Sequence, residues 1–308
     1  MIALRKGLPL VAGCAMLLSA GTASAQIDLD NWRLDLSNLG GGFAGQETSG
    51  PGDLGVDQAT FFAPTRVVTS DNDGSGTLSV GDTQTALGIG AITSFVNSSN
   101  QVFTNTTDGV SNRFLGTNFE VTFAFELNEV ITSVAAPNVG FDHLGGSLTL
   151  YVDDTPDFNG SDGTGATDGV PIATFAVVPG ALGGNINTDL LDGSVDIVFQ
   201  ATSIAAGWLF DENGVDLSTL VDAEGDPLLI GLSDSNFQIA DPNDFNEGGI
   251  FDDLGTPYPT DIDLFDFFAE EDGSIDLAVL PEPGTLAVFG LGLLGLGLAV
   301  RRRQRANA

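Results

Sequence analysis

Cysteine is nearly absent from this 308-residue chain: Cys14 is the only one. It lies in an apolar N-terminal stretch, so the region beyond it can form no disulfide, thiolate nucleophile or cysteine metal site. Basic residues are almost as scarce. Of nine lysines and arginines, Arg5 and Lys6 stand near the N-terminus, and Arg301, Arg302, Arg303 and Arg305 near the C-terminus. Between residues 26 and 280 only Arg33, Arg66 and Arg113 remain, against 41 acids, for a net charge of −38. Such a surface repels nucleic acid and anionic lipid and attracts divalent cations. Solubility and adaptation to salt fit the same composition, because screening relieves self-repulsion. Histidine occurs once, as His143, which rules out a two- or three-histidine metal centre within one chain. No G-x-S-x-G elbow accompanies it, and no Walker or dinucleotide-binding loop is present. With acids everywhere, a carboxylate pair for glycoside cleavage can be chosen at will and so identifies nothing. Trp and Tyr number two each while Phe numbers 21, and Phe fills a core without needing a hydrogen-bond partner.

The two ends read as addresses rather than as fold. Arg5 and Lys6 precede an apolar stretch, Leu8 to Ala20, and Ala23-Ser24-Ala25 offers small residues for signal peptidase, with cleavage between Ala25 and Gln26. Residues 1–25 are therefore expected to be a secretory signal peptide. A lipoprotein box at Val11-Ala12-Gly13-Cys14 would leave a very short hydrophobic region ahead of it. At the far end, Pro281-Glu282-Pro283 precedes an apolar run from Thr285 to Val300, closed by Arg301, Arg302 and Arg303. Those 16 residues would span about 24 Å as a helix, short of the ~20 residues of a permanent anchor. The basic end should stay cytoplasmic and leave the upstream chain outside. A single short hydrophobic helix of this kind suits a tail that is recognised and then removed.

Between the ends the pattern is that of an all-β protein. Phe119 to Leu127 alternates with period two, the signature of a half-buried strand. Leu148, Leu150 and Val152 repeat it, as do Val195, Ile197 and Phe199. Further strands are expected at 60–69, 87–96, 130–135, 171–178 and 228–232, separated by Gly, Asn and Asp clusters. Short strands and frequent turns predict an antiparallel β-sandwich or jelly-roll-like ectodomain over 26–268, as one large domain or two small ones. Leu264 to Phe268 reads as a final strand or a short helix, and 269–280 as a linker to the tail.

One loop has the spacing of a cation site. Asp71, Asp73, Ser75, Thr77, Ser79 and Asp82 occupy positions 1, 3, 5, 7, 9 and 12 of a twelve-residue calcium loop, with Gly76 at the sharp turn and Leu78 toward the core. A hard cation needs six or more oxygens converging at ~2.3–2.6 Å, which is what this spacing supplies. Asp rather than Glu closes the loop, and its flanks read as strands. A plain polar turn, rich in Asp, Asn and Gly for conformational reasons, uses the same residues. Two further acidic loops have less orderly spacing: 153–169 reads as a solvated loop or as a calcium or saccharide site, and 241–253 as a solvated loop or a third site.

The tail, Pro281-Glu282-Pro283 with its glycine-rich span and arginine cluster, resembles the PEP-CTERM sorting signal of Gram-negative bacteria. That resemblance implies exosortase as a processing partner, a transient inner-membrane stage, cleavage near the Pro-Glu-Pro motif, and delivery to the cell surface or extracellular matrix alongside exopolysaccharide. Asn31-Trp32, the 71–82 loop, Leu127 to Val134 and Gly146 to Thr155 are similar to stretches of flocculation-associated PEP-CTERM proteins. This second resemblance implies a noncatalytic role holding cells and exopolysaccharide in flocs, with calcium as the expected ion. A secreted glycosidase or lyase, and a lectin-like receptor for cell-surface glycans, are the alternatives.

Overall fold

The alternation of residues 119–127 extends well beyond them. In the computed structural model, which describes residues 27–48, 55–107, 113–161, 163–222, 224–240 and 266–280, one strand runs unbroken from Glu120 to Ala135. In chain order the strands are β1 (Ile27–Asp28), β2 (Arg33–Leu34), β3 (Glu47–Thr48), β4 (Gln58–Ser70), β5 (Thr83–Val96), β6 (Val102–Phe103), β7 (Asn105–Thr107) and β8 (Arg113–Phe114). There follow β9 (Glu120–Ala135), β10 (Asn138–Asp153), β11 (Val170–Val177), β12 (Gly183–Asn187), β13 (Asp192–Ile204), β14 (Leu209–Phe210), β15 (Leu229–Ala240) and β16 (Asp266–Val279). Every stretch expected as a strand overlaps one, and Leu264 and Phe265 of the stretch 264–268 lie outside the described residues. Helical structure among the described residues is limited to three 3-10 turns, and no helix there is long and apolar enough to cross a membrane.

The long strands form one antiparallel sheet in the order β16-β15-β13-β11-β10-β9-β5-β4, and β4 pairs in turn with β16. The sheet thus closes on itself. β11 and β12 fill a single position between β10 and β13, one after the other, with Gly180 N–H donating to His143 O across the gap. The expected all-β, antiparallel architecture is present. The walls face each other across one apolar interior, as the layers of a sandwich do, but the two open edges of a sandwich are joined.

Inward residues of β9, among them Val121, Phe123 and Leu127, meet Phe61, Val67, Leu148, Phe175, Ile197, Phe199 and Leu277 in a continuous core. Its packing follows a rule that spans the barrel. Phe125 lies opposite Gly88, Phe123 opposite Gly90, Phe141 opposite Gly184, Phe237 opposite Gly193 and Phe61 opposite Gly273. At each of these glycines an added Cβ would run into the ring across the strand pair. The ring occupies the space that a missing side chain leaves, so a large and a small residue fill one layer together.

The N-terminal segment plugs one end. β2 pairs with β14, and Trp32, Leu34 and Leu209 cover Ile92, Phe95, Leu150 and Ile172 around an apolar cavity of 30 Å³, counted as space open to a water's centre. At the other end the β4–β5 loop is bonded to β9 through Ile131 N–H to Asp82 O at 2.8 Å.

Residues 269–280, expected as a linker, are instead the body of β16. The strand pairs with β15 over twelve residues and with β4 over eleven, making it the closing seam of the barrel. Its acidic run, Glu270-Glu271-Asp272, looks solvated in sequence. The period of two sends Glu271 inward and its neighbours outward, so only one of the three enters the core.

Candidate functional site

Tight local geometry builds the 71–82 loop. Asp71 Oδ1 accepts the N–H groups of Gly74 (2.7 Å) and Ser75 (3.1 Å), and its Oδ2 accepts that of Gly76 (2.7 Å). Gly74 and Gly76 take φ of 70° and 71°, a region costly for other residues, and so turn the loop around that carboxylate. Asp82 is fully buried: Oδ1 accepts Asn72 N–H at 2.9 Å and Oδ2 accepts Ser79 N–H at 2.7 Å. Ser79 Oγ donates to Asp73 Oδ2 at 3.1 Å, and Ser75 Oγ to Thr77 O at 2.7 Å. Hydrogen bonding by Ser75, through side chain and main chain, and then by Ser79 holds the Asp73 carboxyl below its usual range. Leu78 packs against the core. One carboxylate oxygen each from Asp71, Asp73 and Asp82 lies within 4.8 Å of the others. All six residues selected by spacing are thus gathered in one turn, and an all-oxygen donor set of this kind suits a hard cation.

A second polar group lies inside the barrel. Gln84, Glu129, His143, Ser235 and Glu271 are each at least nine-tenths buried, and Gln84, Glu129 and Glu271 line a cavity of 20 Å³ with Val67, Phe141 and Phe267. A space of that size, open to a water's centre, holds about one water. Glu129 and His143 face each other in register across β9 and β10 with Oε1 and Nδ1 3.2 Å apart, off the line of an aligned hydrogen bond. His143 Nε2 lies 3.2 Å from Asp196 O. Burial pushes the Glu271 carboxyl up to about 7; Thr65 and Ser235 act in the opposite direction, and the nearby Glu129 charge adds to the rise. His143 therefore belongs to the interior, out of reach of a polymeric substrate.

A third feature is a polar groove of 550 Å³, as space open to a water's centre, on the outer wall where β12, β13, β15 and β16 run side by side. Asn138, Asn185, Asn187, Asn236 and Gln238 contribute amides, and Asp192, Glu270 and Asp272 contribute carboxylates. Phe62 is the aromatic side chain of β4 among the lining residues. No sequence motif marks it, because positions on six separate strands, β4, β10, β12, β13, β15 and β16, create it.

The three arginines of the folded region are all engaged. Arg33 pairs with Glu47 at 2.7 Å, and Arg66 pairs with Asp266 at 2.9 Å and lies over the Phe268 ring. Arg113 donates to Gly42 O at 3.0 Å and lies over Phe43. In the 153–169 loop burial raises the carboxyls of Glu120 and Asp153, opposite each other at the end of the β9–β10 pair. The expected processing residues, Ala25, Gln26, Pro281, Glu282, Pro283, Arg301, Arg302 and Arg303, lie outside the described residues, as do the loop at 241–253 and the apolar span at 285–300.

The PEP-CTERM protein-sorting motif matches residues 279–303. It directs a chain to exosortase and implies export with a membrane-associated sorting step. The match begins at the last residue of β16, so the sorting tail follows the barrel's closing strand with no spacer between them. No curated protein and no solved structure matches the chain.

Proposed function

We infer that this chain, a PEP-CTERM domain-containing protein targeted to exosortase and exported, acts at the cell surface or in the extracellular matrix as a noncatalytic polysaccharide-binding protein that promotes flocculation and biofilm cohesion. The observation that carries this reading is the outer groove. Planar amides both donate and accept hydrogen bonds, which matches the hydroxyls of a glycan, and an aromatic residue in the lining suits the apolar side of a sugar ring. The groove's carboxylates and the chain's acidity favour neutral sugar units for direct contact. Anionic exopolysaccharide would be reached through calcium bridging, with the 71–82 loop as the ion's site.

Binding of the full-length chain to exopolysaccharide isolated from the matrix tests this. Asn185→Ala/Asn236→Ala should weaken binding about tenfold, equivalent to ~1.4 kcal/mol, and a strain lacking the protein should flocculate less. Release of new reducing ends from that polysaccharide would instead make the protein a glycosidase or lyase. Absence of any binding would remove the groove from the account.

Calcium at the 71–82 loop has its own readout. At ten times its dissociation constant, a ligand confined to the native state adds ~1.4 kcal/mol, which for a barrel of this size raises Tm by about 3–5 °C. That increment should shrink in Asp71→Ala/Asp73→Ala. An identical increment in the variant, or one reproduced by sodium at equal ionic strength, would reduce the loop to a turn.

A further inference from the structure

We propose that Glu120, Asp157 and Asp168 form a second divalent-cation site, filled by calcium, that fastens the β10–β11 loop to the outer wall of the barrel. Glu120 opens β9 and pairs with Asp153, the last residue of β10. Val121 and Val152 beside them enter the core, so Glu120 and Asp153 project outward. The chain then makes a long excursion before β11 begins at Val170 and folds back over the wall. Asn159 N–H donates to Thr164 O at 2.9 Å, Gly163 N–H to Asn159 O at 2.8 Å, and Thr122 Oγ1 to Ala166 O at 2.8 Å. Gly165, at φ 77°, is laid so close to Asp157 that any Cβ would strike it.

This loop leaves Glu120 only 6% exposed. Its Oε2 accepts the N–H of Phe158 at 3.1 Å, but Oε1 is buried without any partner. A carboxylate oxygen withdrawn from water and left unmatched is costly, and native folds seldom tolerate one without a ligand or ion to meet it. Asp157 and Asp168 approach the same carboxylate, and one carboxylate oxygen from each of the three residues lies within 4.8 Å of the others. Two ligands on opposite sides of a calcium ion at ~2.4 Å are ~4.8 Å apart, so this spacing fits a single coordination shell. No protein cation is at hand to offset the three charges: the folded region has three arginines and no lysine, and the arginines are held at Glu47, Asp266 and Gly42. The offset must come from solution. Hard oxygen donors without histidine or cysteine select calcium or magnesium over transition metals, and calcium accepts the irregular shell of a loop more readily than magnesium does.

The site is independent of the 71–82 loop. That loop is tied to β9 at Ile131, eleven residues along the strand from Glu120, or ~36 Å at ~3.3 Å per residue. Calcium titration of the full-length chain carrying Asp71→Asn/Asp73→Asn isolates it. One calcium should still bind, in the 10⁻⁴–10⁻³ M range typical of extracellular modules. Adding Asp157→Asn/Asp168→Asn should weaken that binding at least tenfold. Calcium should also protect residues 154–169 from proteolysis, and the same substitutions should abolish the protection. Both aspartates are exposed, so circular dichroism is expected to show an intact barrel; Glu120→Gln is a third variant that keeps the shape of the buried side chain. Absence of calcium binding in the Asp71→Asn/Asp73→Asn background would overturn the proposal, as would binding and protection indifferent to Asp157→Asn/Asp168→Asn. Neither result bears on glycan binding in the groove.

Discussion

Gly88→Ala should destabilise the barrel by about 1–3 kcal/mol, the usual penalty for forcing a methyl group into a packed interior, although strands ordinarily favour Ala over Gly. The contacts a Cβ would make at Gly88 are with the Phe125 ring directly across the β5–β9 pair. The penalty should therefore depend on that ring. Phe125→Ala alone should cost about 2–4 kcal/mol, less than the upper end for a full core Phe because the ring is only partly buried. The double variant should be no less stable than Phe125→Ala, a coupling of at least ~1 kcal/mol. Urea unfolding of the four proteins measures it. Additive penalties would mean that ring and glycine do not share one space. Phe123→Ala should be more severe, at about 3–5 kcal/mol: the ring is 1% exposed, covers Gly90 and packs edge-on against Phe61 with ring centres 5.3 Å apart. Phe141–Gly184, Phe237–Gly193 and Phe61–Gly273 repeat the same cross-strand complement elsewhere in the barrel.

Glu271→Gln should stabilise the protein at pH 8 and leave it unchanged near pH 4. The folded chain holds the Glu271 proton until about pH 7, whereas the unfolded chain releases it near ~4.3. Above the unfolded value the unfolded state sheds a proton that the native state keeps. Stability therefore falls as pH rises through that window, and the loss is complete once the folded group has also ionised. A gap of this size corresponds to about 3–4 kcal/mol. The groups facing Glu271 come from every wall around it: Thr65 on β4, Glu129 on β9, His143 on β10 and Ser235 on β15. Denaturation of wild type and variant at a series of pH values isolates the effect, because titrations elsewhere cancel in the difference. Two parallel curves would show that Glu271 ionises in the fold as it does in water.

The legible parts of this chain are those written in neighbouring residues. The strict alternation from Phe119 to Leu127 is a local pattern, and it marks β9 without reference to any other strand. The calcium-type spacing from Asp71 to Asp82 is equally local, and its six residues meet in one turn. The reading of 269–280 as a linker failed for the converse reason. Glu270-Glu271-Asp272-Gly273 has the composition of solvated chain, and what makes it a strand is pairing with Gln58–Val68 and Leu229–Ala240, both far away in sequence. Gly273 in particular is explained only by its neighbours on both sides, the Phe61 ring from β4 and the Asp234 carbonyl and Ser235 Cβ from β15. Nothing in the sequence sets Glu120 apart from the other 41 acids, because Asp157 and Asp168, the residues that give it meaning, arrive from a loop beyond the next strand.

By itself the sequence determined export and fold class. An export signal has to be recognised as linear chain, so a Pro-Glu-Pro motif, an apolar span and an arginine cluster state it without folding. Period-two hydrophobicity likewise states that strands will form, since each strand's two faces are set by its own side chains. The tertiary structure alone decided closure, the groove and the second acidic cluster. Which strands pair is a matter of the free energy of whole interfaces, set by Phe–Gly complementarity and by the joining of β4 to β16. Outward residues from separate strands then converge only once that pairing exists.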